Sequence, residues 1–241
     1  MPENAFNILL LIARPAAGKS EIIDYLKRTP TAERIQRFHI GAFEELDDFP
    51  MLWIWFEEDD ILEQMGKPRL YSDSKGYFKH DYFWDLLIRR ISLEYKKALR
   101  DQPNFQQSKT MIIEFARGSE HGGFKRALAH LDQEIVEQMA VLYVNVSWQE
   151  SLRKNRARYN PERPDSILEH GLSDEKMEIL YRENDWAEIS AQDAEFLNVQ
   201  GIQVPYAVFE NEDDITTERG AALGQRLEET LNILWQRYQQ R

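Results

Sequence analysis

Apolar and polar positions along the chain fall into short runs of two kinds. Ile8-Leu9-Leu10-Leu11-Ile12 is a continuous apolar run, the pattern of a strand buried on both faces of a parallel sheet. A turn follows, and then a helix over Ser20 to Lys27 with apolar residues at 22, 23 and 26. A second short strand is expected near Phe38 to Ile40. From Phe43 to Arg100 the pattern is mostly helical and rich in aromatics, closing in the periodic stretch Tyr82 to Leu99. Thr110 to Phe115 reads as a third strand, followed by a Gly-containing loop and a helix over Phe124 to Glu137. Ala140 to Val146, apolar but for Asn145, reads as a fourth and leads into a helix over Gln149 to Arg158. After Pro161 and Pro164 a polar helical region runs to about Gln200. Val204 to Phe209 is then a fifth strand, followed by Asn211 and a final amphipathic helix, Gly220 to Tyr238.

Strands that alternate with helices, each strand a short apolar run, predict an α/β fold with βαβ crossovers. The expected architecture is a three-layer fold, a parallel sheet of about five strands with helices on both faces. No internal repeat, low-complexity tract or Pro/Gly/Ser-rich linker divides the chain. At roughly 150 residues per domain, the 241 residues suit one domain over 1–241 carrying insertions. The stretch 41–100 is too long for a simple crossover and is expected to be a helical insertion. Residues 150–200 form a second helical addition.

Composition narrows the classes of function. Thirty Lys and Arg against 42 Asp and Glu leave a net charge of −12, which argues against a general binder of nucleic acid or anionic membrane. The absence of cysteine removes disulfide scaffolds, thiolate metal sites and cysteine nucleophiles together. The five histidines, at 39, 80, 121, 130 and 170, show no metal-ligand spacing. No Gly-x-Ser-x-Gly elbow supports a hydrolase triad. The apolar run Phe6 to Ala13 is too short to span a bilayer and lacks a basic leader, so a cytoplasmic protein without a membrane partner is expected.

The sharpest chemical signal is Ala13-Arg14-Pro15-Ala16-Ala17-Gly18-Lys19-Ser20, placed between the first strand and its helix. It is a Walker A pattern with Ala13 where the first glycine usually stands. In such a loop backbone N–H groups wrap a β-phosphate, the lysine reaches the β and γ oxygens, and the following hydroxyl ligates Mg²⁺. Residues 14 to 20 are therefore the expected nucleotide cradle, with Lys19 also catalytic and Ser20 a metal ligand.

With that loop in place, the chain resembles P-loop kinases of the nucleoside and nucleotide kinase group, of the uridine and adenylate type. The resemblance implies an ATP-dependent small-molecule kinase using ATP and Mg²⁺, whose partners are a nucleotide and a small hydroxyl-bearing acceptor. In that group the third strand often ends in an acidic residue, and Met111-Ile112-Ile113-Glu114 does so. Glu114 is thereby implied to hold the metal's water shell or to accept a proton. Leu46-Asp47-Asp48-Phe49-Pro50 is similar to the Asp-Asp-Phe of uridine and pantothenate kinase relatives, which makes Asp47 or Asp48 a candidate for the acceptor hydroxyl. Five basic residues, Arg153, Lys154, Arg156, Arg158 and Arg163, face one acidic residue between 153 and 163, like the arginines of a lid that closes over phosphates. Arg153 and Arg156 share one helical face and are assigned to catalysis, and Arg158 to the nucleotide. Asn211, after the last strand, is an adenine-side candidate by the same resemblance. It is equally a capping or turn residue.

The aromatics Trp53, Trp55, Phe56, Tyr71, Tyr77, Phe78, Tyr82, Phe83 and Trp84 fit core packing or stacking on an acceptor. Absence of an Asn-Lys-x-Asp signature favours ATP over GTP. Two rival readings remain at this stage: a P-loop switch or sensor whose 41–100 region binds a protein, and a nucleotide binder without turnover, which Ala13 would favour.

Overall fold

The apolar run at the start of the chain forms β1 (Ile8–Ala13), every residue of which is buried. The computed structural model describes residues 4–158, 162 and 171–241. The remaining strands are β2 (Ala42–Asp47), β3 (Lys109–Phe115), β4 (Met139–Asn145), β5 (Phe196–Val199) and β6 (Ile202–Glu210). They form a six-stranded sheet in the order β2-β3-β1-β4-β6-β5, parallel except for β5. The helices in chain order are α1 (Lys19–Arg28), α2 (Thr31–Phe38), α3 (Asp48–Gln64), α4 (Tyr82–Asp101), α5 (Phe105–Ser108), α6 (Gly123–Ala129), α7 (Gln133–Val136), α8 (Trp148–Arg158), α9 (Asp174–Tyr181), α10 (Trp186–Ser190), α11 (Ile215–Glu218) and α12 (Ala221–Gln239).

The two-residue period of a strand sends alternate side chains to opposite faces. Ile8, Leu10 and Ile12 join Met111, Ile113 and Val141 beneath α4, α6, α7 and α10. Leu9, Leu11 and Ala13 join Ile112, Leu142 and Val144 beneath α1, α2 and α12. A strand apolar at every position is thus explained by two cores, and each fully buried Leu or Ile contributes roughly 1.5–3 kcal/mol. The α/β expectation holds, with six strands in place of five.

Three local expectations are corrected. The segment Phe38 to Ile40 is not a strand: Phe38 ends α2, His39 turns left-handed at φ 56°, and the strand begins at Ala42. Pro30 opens α2, and the buried Arg34 guanidinium on that helix donates to Leu26 O at 2.9 Å and Gly41 O at 3.0 Å, tying α1 and the entry to β2 together. β2 is an edge strand of sequence Ala-Phe-Glu-Glu-Leu-Asp, only partly buried, so its apolar signal is weak. The second correction lies before Gln200. There Phe196–Val199 pairs antiparallel with β6 across a Gln200-Gly201 turn whose residues have φ 54° and 83°. Third, the helix expected over Phe124 to Glu137 is two pieces, α6 and α7, separated around Leu131.

Past β3 the chain runs against α9. Gly118 has an ordinary extended backbone, but a Cβ there would overlap the carbonyl oxygen of Leu180. Ser119 N donates to Glu183 O at 2.9 Å, so the two backbones are in direct contact. Gly118→Ala is therefore expected to lower the unfolding free energy by about 1–3 kcal/mol, the usual cost of overpacking a rigid contact. Urea denaturation of the purified variant measures it, and an unchanged midpoint would contradict this packing.

Candidate nucleotide-binding cleft

The loop between β1 and α1 is shaped by two left-handed residues. Gly18 lies at φ 113°, and a Cβ on it would sit 2.6 Å from Thr216 Oγ1 and 2.7 Å from Asn211 Nδ2. Ala16 also lies at positive φ, 54°, which costs a non-glycine residue roughly 1–2 kcal/mol. Ala13 is not among the positive-φ residues: it ends a strand. Replacing the usual first glycine with alanine at that position therefore adds no backbone strain.

Side chains from three directions fix the loop. The buried Asn211 donates from Nδ2 to Ala17 O and to Thr216 Oγ1, both at 2.8 Å. Ser151 Oγ of α8 donates to Pro15 O at 2.8 Å. Arg14 reaches Tyr181 O at 2.5 Å and Arg182 O at 2.6 Å, joining the loop to the end of α9. Lys19 and Ser20 then open α1, whose N-terminal N–H groups and dipole favour an anion.

Opposite the loop stand the ends of β2 and β3. In their parallel register Asp47 pairs with Glu114. Ile112 packs on the α1 side of the sheet, so Glu114, two residues on, points to the same side. Glu45, two residues before Asp47, confirms the direction by pairing with Lys27 of α1 at 2.9 Å. Lys19 Nζ lies 4.0 Å from Glu114 Oε2, with both side chains nearly buried. Burial is the main cause that raises the pKa of each carboxyl group. Nearby Asp48 reinforces the rise at Glu114, and Lys19 opposes it. Asp47, with Glu114 and Asp48 beside it, is pushed up to about 8.

Asp48 faces elsewhere. It forms an ion pair of 2.5 Å with Arg117, and the two side chains are 7% and 2% exposed. The Arg117 guanidinium lies over the rings of Trp84, at 5.0 Å, and Phe115, at 5.3 Å. His121 stacks on Trp84 with ring centroids 4.4 Å apart. Neither of its ring nitrogens has a hydrogen-bond partner among the described residues. Burial, with the Arg117 charge as a lesser cause, pushes its pKa down to about 4.

These groups surround a cleft of about 750 Å³ at the carboxyl ends of β1, β2 and β3. The chain leaves β1 towards the α1 face and leaves β3 towards the α6 face, so the cleft is at a switch point of the sheet, where α/β proteins bind ligands. Of the residues singled out from sequence, Pro15, Ala16, Lys19, Ser20, Asp47, Asp48, Glu114 and Arg158 line it. Burial lowers the pKa of Arg158, while Glu21, Glu114 and Asp47 raise it, which places this guanidinium among the cleft's acids.

Other expectations are corrected. Asn211 is fully buried behind the loop and bound to it, so it is a buttress and not a contact for adenine. Arg153 pairs with Glu150 and Asp214, both at 2.6 Å, and Arg156 with Asp174 at 2.6 Å, on exposed helix faces outside the cleft. Nearby acids satisfy both arginines locally. Arg14 turns to α9, and Ala17 and Gly18 contribute buried backbone. Arg163 lies outside the described residues. Sequence reasoning missed Thr216, the Asp48–Arg117 pair and the apolar wall of α3. The run Phe49 to Phe56, apolar on all sides of a helix, was the signal for that wall.

Among the described residues no group of three or more His, Cys, Asp or Glu could hold a metal by itself. A hard cation bound chiefly by phosphate oxygens and water, with one or two protein oxygens such as Ser20 Oγ and a carboxylate, fits this arrangement. No helix among those residues is long and apolar enough to cross a membrane.

No family model matches the chain, and no curated relative does. Among solved structures, shikimate kinase from Acinetobacter baumannii in complex with shikimate is similar at 14% identity. The match covers 68% of this chain and 73% of that one, with a TM-score of 0.33. The crystal structure of APE1195 is similar at 14% identity over 96% of this chain and 99% of that one, with a TM-score of 0.40. Likeness at this level carries none of the argument, and the P-loop outline rests on the strand, loop and helix described above.

Two outcomes follow from this geometry. Asn211→Ala is expected to cost about 1–3 kcal/mol of stability, because it removes the side chain that binds Ala17 O and accepts from the buried Thr216 N–H. It should weaken ATP and GTP binding by the same factor, and a selective loss of ATP, measured by calorimetry, would return Asn211 to the adenine. His121 is neutral in the folded protein down to about pH 4, whereas an unfolded histidine binds its proton near 6.5. Between those values the unfolded chain holds more protons, so this residue's share of stability is complete above 6.5 and lost as pH falls towards 4. His121→Phe should therefore lose less stability than the parent between pH 6.5 and 4. Parallel curves from denaturant titrations would show that the histidine is solvated.

Proposed function

We propose that the protein is an ATP-dependent phosphotransferase that moves the γ-phosphoryl group of Mg·ATP to the hydroxyl of a small molecule. The observation that carries this reading is the juxtaposition across one cleft of Lys19 and Ser20, at the end of a phosphate-binding turn, with Asp47 and Glu114 on adjacent strand ends. Lys19 would bind the β and γ oxygens. Ser20 Oγ and the Glu114 side would hold Mg²⁺ and its water, and the cation would supply charge neutralisation at the phosphates.

Asp47 stands where an acceptor hydroxyl could meet it, and a carboxyl with a raised pKa is a better base for that proton than an ordinary aspartate. In the transfer the acceptor oxygen bonds to the γ-phosphorus as its proton passes to the Asp47 carboxylate. The bond to the bridging oxygen breaks, and its electron pair leaves on ADP. Arg158, which lines the cleft with these acids, would stabilise charge on the moving group. Ala13, unstrained in its strand, gives no reason for a binder without turnover.

The test is ADP production by the purified protein with ATP, Mg²⁺ and a panel of hydroxyl-bearing metabolites. Lys19→Ala should lower kcat/KM by roughly 100-fold or more, the usual cost of removing one preorganised charge from a transition state. Full activity in that variant would end the assignment. Asp47→Asn should depress kcat with little change in ATP affinity, since it removes the proton acceptor and leaves the phosphate cradle. A rise in the ATP dissociation constant with kcat intact would move Asp47 to the nucleotide side.

A further inference from the structure

The cleft has two unlike ends. Lys19, Ser20 and Arg158 stand at the phosphate-binding turn with Glu21, Asp47 and Glu114 around them. Beyond Asp47 the wall is the first two turns of α3, where Phe49, Met51, Leu52 and Ile54 face the cavity, closed by Trp84 and Tyr181 from α4 and α9. Ile54 is 52% exposed, unusual for an isoleucine beside a charged cleft, and nothing polar interrupts the stretch from Phe49 to Phe56.

Charge on this wall is already neutralised. The cation next to it is Arg117, and Asp48 at 2.5 Å consumes its charge while Trp84 and Phe115 cover its faces. Elsewhere along the cleft Lys27 is paired with Glu45 and Arg219 with Asp24. An acceptor bearing a phosphate or carboxylate would therefore bring an unmatched negative charge against apolar surface and next to Asp47 and Glu114, which is unfavourable if desolvated. An acceptor with an apolar or aromatic body fills the same wall favourably by removing apolar surface from water.

Resting on the phosphotransfer reading, we propose that the acceptor is an alcohol without an anionic group, whose apolar body lies on α3 and whose hydroxyl points to Asp47. Arg117, paired with Asp48 and covered by Trp84 and Phe115, is thus a fixed structural cation.

Matched pairs of acceptors test this: benzyl alcohol against 4-(hydroxymethyl)benzoate, and a nucleoside against its 5′-monophosphate, each assayed for ADP formation and for the phosphorylated product. The uncharged member of each productive pair should have a kcat/KM at least about 10-fold higher. Ile54→Lys, an exposed substitution that leaves the folded core alone, should lower that preference by about 10-fold by placing a cation on the wall. Preference for the anionic members, or an Ile54→Lys variant with unchanged selectivity, would overturn the inference while leaving phosphotransfer standing. Failure of Mg·ATP to bind, or binding with no acceptor phosphorylated, would overturn the phosphotransfer reading and this inference with it.

Discussion

Asp47 and Glu114 occupy facing positions on adjacent parallel strands, and Lys19 is the lysine that answers both. Parallel pairing sets the two Cα positions side by side, and the period of two along each strand turns both side chains to the α1 face. Burial there penalises the ionised forms, and neighbouring carboxylates add to the rise, Glu114 at Asp47 and Asp48 at Glu114. Such a pair persists because the surrounding sheet is over-determined by two apolar cores, so the local electrostatic cost is small beside the burial that holds β1 and β3 together. A ligand that delivers positive charge or dipoles between Lys19 and these carboxylates relieves the cost, which is what a phosphate group with its cation would do on the reading advanced above.

The phosphate-binding loop on the other side is fixed by hydrogen bonds. Asn211 and Thr216, from the turn after β6, fill the space that a Cβ on Gly18 would need, so the loop's sharpest bend and its supporting residues are matched in volume. Arg14 couples the same loop to α9, and Gly118 lets α9 approach the end of β3. α9 is therefore not suspended over the cleft. It is tied to the loop at one end and to β3 at the other, and a shift of α9 must be felt by the residues that would hold a phosphate.

Most of the sheet was legible because its strands are buried on both faces. β1 reads as an unbroken apolar run, β3 and β4 as apolar runs with polar residues only near their ends, and the strand-to-helix placement of Gly18-Lys19-Ser20 pointed to the candidate cleft. The two strand errors share a cause. β2 and β5 are the two edges of the sheet, where half-exposure dilutes the apolar signal, and the β5 hairpin is announced only by Gln-Gly. For the arginines the difficulty was different. Composition counts the cations between 153 and 158 equally, but which of them is left for the cleft depends on Glu150 one turn away on the same helix and on Asp174 and Asp214, set by more distant parts of the chain.

The failure at β2 is also informative about function. A strand of sequence Ala-Phe-Glu-Glu-Leu-Asp gives up apolar burial at Glu45 and Asp47, the positions that face α1 and the cleft. Had those positions been apolar, β2 would have been as legible as β3 and the cleft would have lost one of its carboxylates. Local rules of strand composition are broken at the carboxylates that line the cleft, while the buried Arg34 fastens the entrance of the same strand through Gly41.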